Sequence, residues 1–170
     1  STDVGPEHWV QLSSHVNKIL QSDTDVAGIA ITHGTATLEE TAYFLNLTVK
    51  SQLPVVITGA MRPPSALGTD ADVNLADSIR VAASPDAIGK GVLTVLNNEI
   101  QSARDVTKTN SYRLETFRSN ELGFLGYADS DGEVVFYRSP TKSHTLNSEF
   151  TVAENDELPR VDIAYAYAGV

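Results

Sequence analysis

The sequence contains no cysteine, one methionine and one tryptophan among 170 residues. Without thiols there is no disulfide, no Cys-ligated zinc and no cysteine nucleophile. The compartment stays open, because a cysteine-free protein tolerates oxidising and reducing surroundings alike. Basic residues are also scarce: 12 Lys and Arg face 22 Asp and Glu, a formal net charge of −10. A surface of that sign repels phosphate backbones, so no nucleic-acid partner is expected, and the charge reads as a solubilising one. No apolar run approaches the roughly 20 residues of a membrane-spanning helix, and no membrane partner is expected. Gly28, Gly34, Gly59 and Gly68 form neither a G-x-G-x-x-G turn nor a phosphate loop. The four histidines, at 8, 15, 33 and 144, show no metal-ligand spacing.

What remains is a globular balance, 41% hydrophobic and 20% charged, at a length suited to one domain. Pro6 suits a first helical position. Apolar residues then recur at helical spacing at Trp9, Leu12, Val16, Ile19 and Leu20. Ala27 to Ile31 reads as a buried strand. Thr37 opens a second helix, with Glu40 three residues on to complete a capping box and Leu38, Ala42, Leu45 and Val49 on one face. Pro54 to Gly59 is a second strand, followed by a loop with Pro63, Pro64 and Gly68. Asp70 or Asp72 caps a third helix that runs to about Ala83, where Ser84-Pro85 stops it. Gly91 to Leu96 is a third strand. Helix and strand alternate to this point, which predicts an α/β three-layer sandwich with a mainly parallel sheet. Asp131-Gly132, ahead of Val134-Val135-Phe136-Tyr137, predicts an appended β-hairpin.

The ends carry expectations of their own. The chain opens on Ser1-Thr2-Asp3 without an initiator methionine. Near its close, Glu154 to Glu157 and Pro159 read as a linker, and Val161 to Tyr167 alternates like the opening of a strand. The expected division is a domain over 1–153, a linker over 154–160 and the start of a second domain over 161–170. The chain reads as part of a longer polypeptide.

In open parallel sheets ligands bind beyond the carboxyl ends of the strands. Three polar clusters are expected there: Thr32-His33-Gly34-Thr35, Thr58-Gly59-Ala60-Met61-Arg62-Pro63, and Asn97-Asn98 with Arg104-Asp105-Val106-Thr107-Lys108-Thr109-Asn110. Thr35, between a strand end and a helix amino terminus, could act as a nucleophile or hold a water if Lys108 took its proton. Equally, Thr35 and Thr37 could only cap the helix while Lys108 is a surface cation. His33 reads as a packed, hydrogen-bonded histidine and Trp9 as core. Arg62 either binds an anion or ties its loop together.

Thr32-His33-Gly34-Thr35 with Thr37-Leu38-Glu39-Glu40-Thr41-Ala42, then Gly59-Ala60-Met61-Arg62-Pro63, then Arg104 to Asn110, resembles the type II L-asparaginases in the family's order. Ala103 stands where that family usually carries glycine. The resemblance implies hydrolysis of the side-chain amide of L-asparagine to L-aspartate and ammonia, with L-glutamine as a second candidate substrate and with neither cofactor nor metal. It implies that Thr35 and Lys108 work beside the substrate and that Gly34 and Ala36 flank Thr35 in the substrate-binding turn. Ser1 would hold the α-carboxylate, Thr2 would stand at an α-amino contact, and Ala60 would line the pocket, a weak tilt toward asparagine. It further implies a homotetramer, a periplasmic or secreted location, and an N-terminal domain that lacks its first strand over 1–153.

The departures from the family pattern matter equally. The motif His-Gly-Thr-Asp-Thr has Ala36 in place of its aspartate, and Thr2 replaces a Gln or Glu. Loss of a charged partner to a buried ion costs about 3–5 kcal/mol, or about two to four decades in affinity. The resemblance places the nucleophilic threonine in a Gly-Gly-Thr-Ile strand end ahead of Ser1, so these 170 residues alone are expected to be close to inactive. Two other readings stay open: a non-catalytic amino-acid-binding or interaction module derived from an asparaginase, and an unrelated flavodoxin-like effector domain.

Overall fold

The structure, a computed structural model, describes residues 4–169. Three helices, α1 (Pro6–Ser22), α2 (Leu38–Thr48) and α3 (Ala71–Ala83), alternate with strands β1 (Ile29–Thr32), β2 (Val55–Thr58) and β3 (Val92–Leu96). These three strands pair in parallel. Side chains on successive strand residues point to opposite faces, and the core divides accordingly. Val55, Ile57, Val92 and Leu96 pack with Leu38, Ala42 and Leu45 of α2, with Val49 at its C-cap and with Val16 of α1. Val56, Leu93 and Val95 face Val81 and Ala82 of α3 on the other side. The four residues expected on one face, the last of them now the C-cap, are fully buried. This is the three-layer α/β sandwich that the alternation predicts.

The second half of the sheet is antiparallel. Strand β3 reverses into β4 (Glu99–Ser102) through Asn97-Asn98, both in the left-handed region at φ 54° and 62°. A two-residue turn of this kind matches the twist of paired strands, and asparagine tolerates it better than most residues. Beyond β4 lie β7 (Gly126–Ala128) and β8 (Val134–Phe136), giving one sheet in the order β1-β2-β3-β4-β7-β8. The expected hairpin around Asp131-Gly132 is the β7–β8 pair. Between β4 and β7 the chain makes a separate ribbon of β5 (Thr107–Lys108) and β6 (Phe117–Arg118). The antiparallel part is therefore larger than one hairpin, because Asn97-Asn98 is a turn.

Helix starts differ from expectation in their chemistry. Thr37 holds the N-cap of α2, but its side chain makes no cap bond, so the capping box with Glu40 does not form. Asp70 is the N-cap of α3, and its carboxylate reaches back to accept from the backbone N–H groups of Met61 and Arg62, each at 2.9 Å. Val161 to Tyr167 forms no strand; these residues join no β-ladder among the described ones and are exposed. An extended segment without a ladder partner has no buried face to hold it.

Candidate active site

The chain leaves β1 at Thr32 and turns through His33, Gly34, Thr35 and Ala36 into α2. Gly59, just past β2, packs against that turn so closely that a Cβ there would stand 2.5 Å from the His33 carbonyl oxygen. Only glycine allows this approach, which sets the Gly59-Ala60 turn beside Thr35. Asp70 holds the same turn from below through Met61 and Arg62. Buried Asn74 completes the brace: its Nδ2 donates to the Gly59 carbonyl and to Asp70 Oδ2, each at 2.9 Å.

Lys108, on β5, brings the third segment in. Its Nζ donates to Thr35 Oγ1 at 2.8 Å. Both residues are half-buried. With its oxygen accepting from the lysine, the Thr35 hydroxyl keeps its own proton available for a ligand acceptor. A neutral lysine would instead take that proton. The pair can therefore polarise a hydroxyl, orient a water or pass a proton.

Lys108 does not stand there on its own. Glu39, in the first turn of α2, accepts from Thr107 Oγ1 at 3.0 Å with one carboxylate oxygen. Its other oxygen accepts from the Lys108 backbone N–H. Sequence reasoning singled out Glu40 and passed over Glu39. No local pattern joins them, because the contacts close separations of 68 and 69 positions.

His33 is packed and hydrogen-bonded, as expected. Its Nδ1 lies 2.7 Å from the Gly34 carbonyl oxygen, an acceptor only, so Nδ1 carries a proton. Its Nε2 faces Thr41 Oγ1 at 3.1 Å, and Trp9 Nε1 donates to the same hydroxyl at 2.8 Å. Trp9 is thus half-buried and does polar work as well as packing on Phe44, with ring centroids 5.7 Å apart. Arg62 ties its loop together by donating to the Gly68 carbonyl at 2.7 Å. Asn97 and Asn98 serve α3 instead of this pocket, bonding Asn74 Oδ1 and Asp77 Oδ2.

Beside the Thr35–Lys108 pair is an open cleft of about 290 Å³ lined by Ala36, Lys108, Thr109, Asn110 and Ser111. Ala36 is exposed in its wall. Gly34 and Ala60 are half-buried next to the pair. Ser1 and Thr2, the other expected substrate contacts, lie outside the described residues. A larger groove of about 470 Å³ runs between α1 and Thr151-Val152. Its Lys50 is committed to the carbonyls of Thr145 and Ser148.

The fold is that of an α/β protein, and the Thr35–Lys108 pair lies beyond the strand ends, where proteins of that class bind ligands. The profile of the asparaginase N-terminal domain matches residues 1–142, and the chain belongs to the asparaginase family. It is 51% identical to L-asparaginase 2 of Bacillus subtilis over 98% of this chain and 44% of that protein. It is 47% identical to a probable periplasmic L-asparaginase of Haemophilus influenzae over 99% of this chain and 47% of that protein. The crystal structure of a probable cytoplasmic L-asparaginase from Campylobacter jejuni superposes with a TM-score of 0.94 at 43% identity, over 99% of this chain and 53% of that one. The chain thus spans about half the length of the relatives it matches. Those names place family members in both periplasm and cytoplasm, so location varies within the family.

Proposed function

We propose that this chain supplies the threonine–lysine part of an amidohydrolase site that acts on the side-chain amide of L-asparagine and yields L-aspartate and ammonia. The observation that carries the reading is the 2.8 Å hydrogen bond from Lys108 Nζ to Thr35 Oγ1 at the mouth of an open cleft. L-Glutamine is the second candidate substrate. Covalent acyl transfer would attack the amide carbonyl with a threonine oxygen, release ammonia and leave an ester that water then cleaves. The resemblance places that threonine after a Gly-Gly pair, and the 170 residues contain no such pair. Thr35 and Lys108 then serve the water and proton steps, and a polypeptide of these residues alone is inactive. The full protein on this reading is a homotetramer built from this domain over 1–153, a linker over 154–160 and a second domain opening at 161.

The test is a titration of the 170-residue chain with L-aspartate, followed by calorimetry and by the NMR signals of Thr35 and Lys108. Millimolar or tighter binding that shifts both residues, and that Lys108→Ala weakens, is the expected result. Silence at both residues in the presence of millimolar ligand rules the site out. The exposed methyl of Ala36 favours a second reading, a binding module without chemistry. Ammonia release above a buffer blank, dependent on Thr35 and Lys108, would exclude that module and the inactivity proposed above.

A further inference from the structure

We infer that Glu39 is the positioning residue of this site: it fixes the β5 backbone so that the Lys108 side chain reaches Thr35. The geometry is a clamp. One carboxylate oxygen takes the Thr107 hydroxyl at 3.0 Å and the other takes the Lys108 backbone N–H. Charge-assisted bonds of this kind are shorter and stronger than neutral ones. Two of them on adjacent residues leave β5 little freedom to slide along α2.

Lys108 needs such an anchor. Its strand is two residues long and pairs only with β6, outside the six-stranded sheet. A ribbon that short is marginal by itself. Lysine also has four rotatable side-chain bonds, so a displaced backbone lets Nζ leave Thr35 at small cost. Glu39, by contrast, sits on a helix whose next-door residue Leu38 is fully buried in the core. The rigid layer thereby passes its position to the loop that bears the amine.

The ordinary explanation of an acid in a first helical turn is its favourable interaction with the helix dipole. Glu40 supplies the control. It occupies the same turn, gains the same dipole interaction and is exposed. The two differ in direction, because successive helical residues point about 100° apart. Only Glu39 faces β5.

The experiment uses the 170-residue chain and two readouts. The first is the NMR contact between the Lys108 ε-methylene and the Thr35 methyl, which needs no ligand. It is expected in the wild type and in Glu40→Ala, lost in Glu39→Ala, and retained in Glu39→Gln, whose amide oxygen still accepts one bond. Glu39→Asp, one methylene too short to reach either Thr107 or the Lys108 N–H, loses it too and replaces Glu39→Ala should that variant unfold. The second is L-aspartate affinity, which falls on the order of tenfold in Glu39→Ala and within about threefold in Glu39→Gln. Persistence of the contact in Glu39→Ala, or equal loss in Glu40→Ala, overturns the inference. This affinity readout rests on the function proposed above. If the wild type binds no aspartate that reading fails, while the methylene–methyl contact still decides the role of Glu39.

Discussion

Thr35 Oγ1 and Lys108 Nζ are 2.8 Å apart although 73 residues separate them in the chain. Several segments between them help to set that distance. Strand β2 runs beside β1 and ends in Gly59, which packs on the Thr35 turn, while α3 braces that end through Asp70 and Asn74. The Asn97-Asn98 turn then sends the chain back along the sheet toward β5, where Glu39 receives it. The pair is a product of the whole topology, so its energetics report on the assembled site.

Ala36→Asp tests what the cleft can hold. A buried aspartate at this place would bring several kilocalories of attraction to an ammonium. Ala36 is exposed in an open cleft, where a charge pair is worth about 1 kcal/mol at most. The expected gain in L-aspartate affinity is therefore no more than about tenfold. Titration calorimetry at low and high salt measures it, and the gain shrinks as salt rises. A thousandfold gain would mean that the ligand seals the cleft on binding.

Gly59→Ala tests the packing beneath the pair. The added methyl would stand 2.5 Å from the His33 carbonyl oxygen and 3.2 Å from Thr35 Cγ2. Both neighbours lie on the turn that carries Thr35, and a backbone oxygen cannot swing aside. The variant should lose about 1–3 kcal/mol of stability by urea denaturation. It should also shift the NMR signals of His33 and Thr35 more than those of β7 and β8. Unchanged stability would show that the two turns are not in contact.

These predictions separate what the sequence makes legible from what it hides. The face of α2 is readable because Leu38, Ala42, Leu45 and Val49 follow helical spacing and are all fully buried. Strands β1 to β3 are readable as short apolar runs between helices. Lys108 as Thr35's partner is not readable from local pattern, because the contact closes a 73-residue separation. Chemistry alone offers Lys108 as a candidate base beside the option of a plain surface cation, and the resemblance is what favours the pairing. Glu39 was missed for a different reason: a capping-box template favours the third helical residue, whereas the loop came to the second. The Asn97-Asn98 turn was read as site chemistry because polar residues at a strand end fit both roles.

Thr94→Val should stabilise the protein. The Thr94 side chain is fully buried in β3, and its hydroxyl finds no hydrogen-bond partner among the described residues. A buried donor left unpaired costs about 1–3 kcal/mol, and valine fills nearly the same volume without it. We expect a gain of about 1 kcal/mol in denaturant unfolding with an unchanged m-value. A loss of stability would mean that a water or a moved carbonyl satisfies the hydroxyl in solution.

His144 gives the fold a pH dependence with a definite sign. Burial holds its imidazole below the ordinary histidine value near 6.5. It leans on Gly91, where a Cβ would meet its Nδ1 at 3.0 Å, and its Nδ1 is 2.9 Å from Thr145 Oγ1. The unfolded chain then binds a proton more readily than the folded one as pH falls below about 6.5. This contribution to stability is complete above that pH and is lost as pH falls through the folded value. His144→Gln should flatten that part of the stability curve between about pH 7 and pH 5.

Glu99 has the opposite sign. Burial is the largest influence on its carboxyl and raises it above the ordinary 4.5, against the smaller pull of Arg118 and of the hydrogen bond from Gln101. A raised carboxyl contributes stability that is fully present below pH 4.5 and is lost as pH rises through the folded value. Ionised Glu99 is therefore a burden at neutral pH. Gln101 Nε2 donates to Glu99 Oε2 at 2.8 Å, and a glutamine oxygen could accept the same bond. Glu99→Gln should accordingly unfold at higher urea than the wild type at pH 7, with the difference closing as pH falls toward 4. A difference that widens on acidification would reverse the argument, because Arg118 would then outweigh burial and the carboxylate would be the stabilised form.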